Sequence, residues 1–303
     1  MKENFKGISL ANLCSWFGVT RQAYYQNKNR VLQDLIEQDI LLSKIVNIRV
    51  DHRRLGGRKL FFMLEGFMTD HGIKMGRDAF FNMLRNHNLL IKQRKRYHVT
   101  TNSNHWMKRY PNLIKNIEPL GPNNVWVSDI TYWKTKVGHY YISFITDAYS
   151  RKIIGYHVAD TMEAVESVAA LKMAIKTLKP GATGLIHHSD RGSQYCSSPY
   201  VKTLKKSGVD ISMTENGDPL ENAIAERVNG IIKGEYLFDY DITSLSKAKG
   251  VLKSVVKLYN ESRPHSSIGN AVPSQVHNND TDMEIKRLWK NYYFKHNDCK
   301  VVV

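Results

Sequence analysis

The sequence predicts an α/β fold, a mixed five-stranded sheet with flanking helices, preceded by an all-α region with a helix-turn-helix outline. Apolar residues follow helical spacing through much of the first 90 residues, whereas β-branched and aromatic runs separated by turns begin near residue 125. After three such runs, helices and strands alternate, as they do around a mixed sheet.

The first of two helix-turn-helix outlines lies near the start of the chain. Apolar residues at 10–17 have helical spacing, Gly18 interrupts them, and Thr20 is a candidate N-cap for a second short helix. If this second helix contacts DNA, the side chains it offers are Arg21, Gln22 and Tyr25.

The second outline occupies residues 60–89. Apolar residues at 60–67 and 80–84 predict two helices with a turn at 72–76 between them. A small helical bundle that does not contact DNA is the alternative interpretation of both outlines.

A basic run at 91–98 joins this region to the strands. It contains Arg94, Lys95 and Arg96 and leads into a polar stretch at 99–105. Such a linker is either a solvated segment or one that lies along a phosphate backbone, and the sequence leaves both open.

The strands begin with an antiparallel meander, predicted at 125–133, 140–147 and 152–158. Four further elements alternate after it. They are a helix at 164–178, a strand at 184–188, a helix at 199–206 and a strand at 209–213.

A long final helix has a capping pattern at its start. Asp218 is the candidate N-cap, Pro219 the first helical residue and Glu221 the third, and the helix would run to about Tyr236. The polar residues that share one face of this helix are Asn222, Glu226 and Lys233.

Three carboxylates form a candidate metal site. Asp129 lies inside a β-branched strand, where an acid costs stability unless something offsets it, and Asp190 directly follows the fourth strand. A right-handed crossover would place these two strands side by side. Together with Glu226 they offer hard oxygen ligands, which favour Mg²⁺ or Mn²⁺ over zinc, and two such ions suit phosphodiester chemistry. Spacing alone does not distinguish this site from three unrelated surface acids.

For several residues near the carboxylates we expect a role in packing or chain turning. We expect His187 and His188 to pack beside the strand end rather than bind metal. Gly192 would let the chain turn close to the site. The aromatic residues expected in the core or at its rim are Trp126, Trp133 and Tyr141.

Three motifs resemble the DDE core of bacterial insertion-sequence transposases, which are related to retroviral integrases. The first is Trp-Val-Ser-Asp-Ile-Thr-Tyr at 126–132, and the second is His-Ser-Asp-Arg-Gly-Ser-Gln-Tyr at 188–195. The third is Glu226, separated from Asp190 by thirty-five residues as is typical of that family, with Lys233 seven residues further on. The tail at 259–267 also resembles the family's C-terminal segment, whereas 221–223 and 227–229 depart from its usual pattern.

The resemblance implies an RNase H-like core in which Asp129, Asp190 and Glu226 bind two Mg²⁺ or Mn²⁺ ions and catalyse DNA cleavage and strand transfer. It also implies that Lys233 contacts the DNA end, and that Asn222 orients Glu226 or touches DNA. Further residues that would stand near the DNA strand are Arg191 and Gln194. The implied partners are double-stranded DNA of element ends and target, a second copy of the chain, and the product of an upstream overlapping reading frame.

The charge distribution agrees with a DNA-binding protein. The chain has 44 Lys and Arg against 28 Asp and Glu, a formal net charge of +16, and residues 1–118 hold +12 of it. A basic front half joined to a nearly balanced back half is typical of a binding part followed by a catalytic part. The three cysteines form no zinc or disulfide pattern, and no apolar run is long enough to span a membrane, so we expect a cytoplasmic, nucleoid-associated bacterial protein.

These observations predict four regions. They are a helix-turn-helix region at 1–90, a basic linker at 91–120, an RNase H-like catalytic core at 121–240 and a C-terminal helical extension at 241–303. The same residues leave two alternatives to a transposase: an RNase H-like nuclease without strand transfer, and an inactive DNA-binding repressor.

Overall fold

The computed structural model describes residues 7–92, 106–115, 117–215, 219–279 and 300–301. Arg94, Lys95 and Arg96 of the basic run, and the N-cap candidate Asp218, lie outside the described residues. The chain forms two compact units, Met1–Asp51 with Gly56–Ile91, and His52–Leu55 with Lys92–Val303.

The first unit is helical. Its helices are α1 (Leu10–Trp16), α2 (Arg21–Asp51), α3 (Gly57–Asp70) and α4 (Arg77–Asn86). The turn between α1 and α2 contains Gly18 at φ +64°, and the Thr20 hydroxyl accepts a hydrogen bond of 3.0 Å from the Ala23 N–H, which confirms Thr20 as the N-cap.

One expectation for this unit is wrong. The helix that follows Thr20 is not short but contains 31 residues, because no Gly or Pro interrupts the sequence between Arg21 and Asp51. The second outline is confirmed by α3 and α4, whose apolar residues Leu60, Leu64 and Phe80 are fully buried.

The second unit contains a five-stranded sheet. Its strands are β1 (Val125–Thr135), β2 (Gly138–Asp147), β3 (Ile153–Ala159), β4 (Ile186–Ser189) and β5 (Asp210–Met213). Their order across the sheet is β3-β2-β1-β4-β5. β1, β2 and β3 pair antiparallel, whereas β4 pairs parallel with β1 and β5 parallel with β4. This mixed order is the RNase H-like arrangement that the sequence predicts.

Helices cover both faces of this sheet. They are α5 (Ala164–Ile175), α6 (Ser193–Cys196), α7 (Ser198–Lys206), α8 (Ala223–Ile231), α9 (Leu245–Glu261) and α10 (Pro273–Asn278). On one face Trp126 and Ile145 pack with residues of α5 and α7, and on the other Trp133 and Phe144 pack with residues of α8 and α9. Alternate residues of β1 therefore face different helices.

The final helical segment begins at Pro219 as predicted, but it is not one continuous α-helix, and the cap assigned to Asp218 stays a prediction. Residues Pro219–Asn222 form a 3₁₀ turn, the α-helix begins only at Ala223, and Ile232–Tyr236 forms a π-helical turn. The Glu221 carboxylate accepts a hydrogen bond from the Glu215 N–H at 2.6 Å. The side chain is thus used to close the loop before the helix.

Residues beyond 240 also pack on the sheet. Leu252, Val255 and Tyr259 of α9 are buried against strand residues, and the Asn260 side chain both donates to and accepts from the backbone of Ile153 at the start of β3. Within the described residues, no helix is long and apolar enough to cross a membrane.

Candidate active site

Two neighbouring strands place Asp129 and Asp190 side by side. β1 and β4 run parallel, and their last paired residues are Ser128 and Ser189. Asp129 and Asp190 are the next residues along each strand. The structure therefore confirms the adjacency that the sequence predicts for these two carboxylates.

Asp129 is held by two hydrogen bonds and opposed by two charges. Its carboxylate accepts from the Ile130 N–H at 2.9 Å and from the Asn229 side-chain amide at 2.7 Å. Burial, followed by the charges of Asp190 and Glu226, raises the pKa of Asp129 to about 7 despite these bonds. A cation bound here would favour the ionised form.

Asp190 depends on the residue two positions later. The Gly192 N–H donates to the Asp190 carboxylate at 2.9 Å, and a Cβ on residue 192 would lie 3.0 Å from that same oxygen. The expected turn at Gly192 is present, but the backbone there is one that any residue can adopt (φ −61°). Glycine is needed for space beside the carboxylate.

Glu226 lies in the first turn of α8 and is exposed. It is close enough to Asp129 to raise the pKa of that carboxyl. Among the described residues, no three His, Cys, Asp or Glu side chains lie close enough together to hold a single ion. The donor set of carboxylate oxygens nevertheless suits a hard divalent cation. The pKa of Asp129 is raised by burial first and by the charges of Asp190 and Glu226 second, and a cation would offset those charges.

Asn222 and Lys233 are both bound to β1. The Asn222 amide is buried and donates to the Ser128 carbonyl at 3.0 Å. The Lys233 ammonium donates to the Thr131 hydroxyl at 3.0 Å and lies 4.0 Å from the centre of the Tyr132 ring. These contacts connect the helix that carries Glu226 to the strand that carries Asp129, on both sides of that residue.

The π-helical turn that contains Lys233 is fixed by an ion pair. Glu235 accepts two hydrogen bonds of 2.7 Å from Arg263, whose side chain is fully buried. Arg263 belongs to the tail motif at 259–267, and no local pattern in the sequence indicates this partner.

A cleft of ≈ 460 Å³ opens beside the two aspartates. Its lining includes Asp129, Asp190, Tyr132, Lys134, His139 and Gln194. The Gln194 amide donates to the Met162 carbonyl at 3.0 Å, and Arg191 is partly exposed next to Asp190. The acidic centre therefore has basic and aromatic groups around it, as a site for a polyanion requires.

The two histidines have the packing roles that the sequence predicts. His187 is buried 2.9 Å from the Tyr200 hydroxyl, and His188 is buried 2.8 Å from the Ser212 hydroxyl. Burial lowers the pKa of His187 to about 3 and that of His188 to about 4, so both are neutral. Trp126 and Trp133 are buried and Tyr141 is partly exposed, in agreement with a core or rim position.

Three of the remaining predicted DNA contacts lie in the first unit. Arg21, Gln22 and Tyr25 are exposed on α2 in the first unit.

The sequence analysis did not identify Asn229, whose side-chain amide donates a hydrogen bond to Asp129. A polar side chain one helical turn after Glu226 was the available signal, but nothing local pointed to its partner one hundred residues earlier.

Comparisons with known proteins agree with this geometry. The Integrase core domain family matches residues 119–219, and a second family model of the same description matches 207–273. The chain is 35% identical over 264 residues to the insertion element IS600 uncharacterized 31 kDa protein of Shigella sonnei, covering 86% of this chain and 96% of that protein. It is 30% identical over 197 residues to transposase InsF for insertion sequence IS3A of Escherichia coli (strain K12), covering 64% and 68%.

Among solved structures, the chain is similar to the HTLV-2 integrase catalytic core domain in complex with magnesium. The identity is 21%, the TM-score is 0.42, and the match covers 53% of this chain and 99% of that one.

Proposed function

The chain belongs to the DDE transposases of bacterial insertion sequences, whose catalytic part is the integrase core domain, and from this premise we propose that Asp129, Asp190 and Glu226 are its catalytic residues. The enzyme is a polynucleotidyl transferase that depends on divalent metal. The observation that supports the assignment best is the side-by-side placement of Asp129 and Asp190 at adjacent strand ends, with Glu226 close enough to raise the pKa of Asp129.

We propose that the three carboxylates hold two Mg²⁺ or Mn²⁺ ions. Their oxygens are the ligands that these cations prefer. Burial, followed by the negative charges of Asp190 and Glu226, raises the pKa of Asp129, and bound cations would offset those charges. When bound, such ions polarise the phosphoryl group and make an attacking hydroxyl more acidic.

The protein's own groups orient these ligands. Asn229 and the Ile130 N–H fix both oxygens of Asp129, and the Gly192 N–H fixes one oxygen of Asp190. We propose that Asn222 is a positioning residue that ties the start of the Glu226 helix to β1, rather than a DNA contact, because its amide is buried and donates to Ser128.

The proposed reaction has two steps. In the first, water attacks the phosphodiester at the element end, and the 3′ oxygen leaves with a proton. In the second, the freed 3′-OH attacks a target phosphodiester: a bond forms between its oxygen and the phosphorus, the bond to the 3′ oxygen of the target strand breaks, and that oxygen leaves with the proton. No covalent protein intermediate and no nucleotide hydrolysis are required.

We propose that basic and polar side chains around the cleft contact the DNA that enters the site. These side chains are Lys233, Gln194 and Arg191. The Lys233 ammonium contacts Thr131 and Tyr132, which lie two and three residues beyond Asp129 on β1. Contacts by Arg21, Gln22, Tyr25, Arg94, Lys95 and Arg96 stay predictions, as do the second copy of the chain and the upstream reading-frame product.

Glu226→Gln tests the assignment. The change keeps the size of the side chain but removes its charge, so strand transfer from an element-end duplex in Mg²⁺ should fall at least about 100-fold while binding of that duplex is unchanged. The matched control is Glu65→Gln on α3, an exposed helical glutamate outside the site, which should keep wild-type activity. Strand transfer by Glu226→Gln at the wild-type rate would exclude the proposed triad. A wild-type protein that only hydrolyses the duplex would be a nuclease instead.

A further inference from the structure

The N-terminal two thirds of α2 is a helix without a packing partner in the described residues. No side chain between Arg21 and Ile40 is buried, whereas Leu41 and Ile45 further along are fully buried. Leu32 and Leu35 are each 57% exposed. Most of the stability of a helix in a protein comes from packing of its apolar face, so a helix that exposes leucines in this way offers an apolar surface for a partner.

The exposed face has the spacing of a coiled-coil seam. Steps of three and four residues alternate along α2. The seam residues are Tyr25, Lys28, Leu32, Leu35, Asp39, Leu42 and Val46. Val31 and Ile36, both exposed, flank this seam. Two of its positions are charged, and these decide which partner the seam accepts.

The seam is complementary to itself when reversed. If two copies of α2 run antiparallel about a two-fold axis between Gln33 and Asp34, Leu32 faces Leu35 and Lys28 faces Asp39. Tyr25 then faces Leu42. From Tyr25 to Leu42 each apolar residue meets an apolar residue and each charge meets its opposite, whereas Val46, at the end of the seam, lies opposite Arg21.

Other arrangements of the same helix bury unmatched charges. In a parallel pair, Lys28 would face Lys28 and Asp39 would face Asp39, and like charges in a seam are costly. Moving the antiparallel pair by one heptad places Lys28 against Leu32, or Asp39 against Leu35. A polar residue at a seam position is a known device for fixing register, and here two of them select one register.

We propose that α2 pairs antiparallel with α2 of a second copy of this chain, in the register that places Lys28 opposite Asp39. The contact lies outside the catalytic site and does not depend on the catalytic assignment. It gives a surface to the second copy that the sequence predicts. Tyr25 is then part of this contact and Arg21 lies at its end, which leaves Gln22 as the predicted DNA contact of α2 that lies away from the seam.

Charge reversal of the seam tests the proposal in the full chain. Lys28→Glu places a second carboxylate opposite Asp39 twice in each dimer, and Asp39→Lys places a second ammonium opposite Lys28. Each single variant should raise the dissociation constant at least about 10-fold and halve the assembly mass measured by light scattering after size-exclusion chromatography. When the two single variants are mixed, a pair with one copy of each has only opposite charges across the seam, because the substituted position 28 of one copy faces the substituted position 39 of the other. Pairing should therefore recover in the mixture. The double variant K28E/D39K also has only opposite-charge pairs and should restore the wild-type mass.

The control changes the same charge on the opposite side of the helix. Arg30→Glu lies away from the seam and should leave the mass unchanged. Recovery in the double variant shows that the single variants fail through charge and not through misfolding. A wild-type chain that is monomeric, a Lys28→Glu variant of wild-type mass, or a double variant that stays dissociated would each overturn the proposal.

Discussion

At the scale of single residues, Asp129 shows how the site is balanced. Its burial and two neighbouring carboxylates disfavour ionisation, while bonds from Ile130 and Asn229 favour it. With its pKa near 7, the carboxyl is about half ionised at neutral pH in the absence of a cation. Any change that removes a hydrogen bond from the ionised form should weaken the binding of a cation to it.

Asn229→Leu tests this balance. Loss of the amide donor removes a bond to the Asp129 carboxylate, so the Mg²⁺ concentration for half-maximal strand transfer should rise about 10-fold. The readout is a metal titration, in which excess metal restores most of the activity. Asn82→Leu on α4, an exposed helical asparagine, serves as the control. An unchanged metal requirement in Asn229→Leu would contradict the role given to this amide.

The buried histidines predict how stability depends on pH. In the unfolded chain both protonate near pH 6.5, whereas the folded pKa values are about 3 for His187 and about 4 for His188. The unfolded state therefore binds more protons below pH 6.5, and stability falls as the pH drops, by up to about 1.4 kcal/mol per pH unit for each histidine.

His188→Asn should make that dependence less steep, because asparagine does not titrate and can still bond to Ser212. Urea unfolding at several pH values between about 7 and 4.5 measures the slope, which should fall by up to about 1.4 kcal/mol per pH unit. Equal slopes for wild type and variant would show that His188 does not stay neutral in the fold.

At the scale of elements, the helix that carries Glu226 is interrupted where the sequence predicts continuity. A 3₁₀ turn precedes α8 and a π-helical turn follows it. The π-helical turn changes the rotation of Lys233 relative to Glu226, and the ion pair between Glu235 and buried Arg263 holds it. Helical spacing places both residues on one helix, but only these contacts define where Lys233 meets β1.

The approach of β3 to α5 gives a stability prediction. A Cβ on Gly155 would lie 2.9 Å from the Ala174 Cβ and closer still to the Ala170 carbonyl oxygen, so Gly155→Ala forces strand and helix apart. We expect a loss of about 1–3 kcal/mol of unfolding free energy, measured by urea denaturation.

Gly66→Ala is the matched control within α3. A Cβ there meets nothing within 4 Å, and alanine is the better helix former, so this variant should gain about 0.5–1 kcal/mol. If Gly155→Ala were as stable as wild type, the close packing of β3 on α5 would be excluded.

At the scale of the whole molecule, charge is divided between parts of the chain. Residues 1–118 hold +12 of the net charge of +16, and the acids of the proposed metal site belong to the remainder. This boundary does not coincide with that of the two compact units, because residues 92–118, which have seven Lys and Arg and a single acid, belong to the unit that contains the sheet. A basic part without catalytic acids and a balanced part that contains them are suited to different tasks on one DNA molecule.

Metal binding should stabilise the whole chain, because a ligand of the folded state shifts the unfolding equilibrium. Adding about 10 mM Mg²⁺ to metal-free protein should contribute about 1 kcal/mol and raise the melting temperature by a few degrees. The double variant Asp129→Asn/Asp190→Asn should show no such rise, with NaCl of equal ionic strength as the control. An equal rise in the double variant would mean that Mg²⁺ acts elsewhere.

The sequence by itself determined the strands, the helices α3 and α4 and the N-cap of α2 in the first unit, and the places of Asp129, Asp190 and Glu226 along the chain. These follow from periodicity, turn residues and motif spacing, all of which are local along the chain. Only the tertiary structure decided the partners of these residues: Asn229 for Asp129, Ser128 for Asn222, and Arg263 for Glu235. Such contacts join positions 28 to 100 residues apart. They depend on how packed elements meet, which no local pattern of residues records.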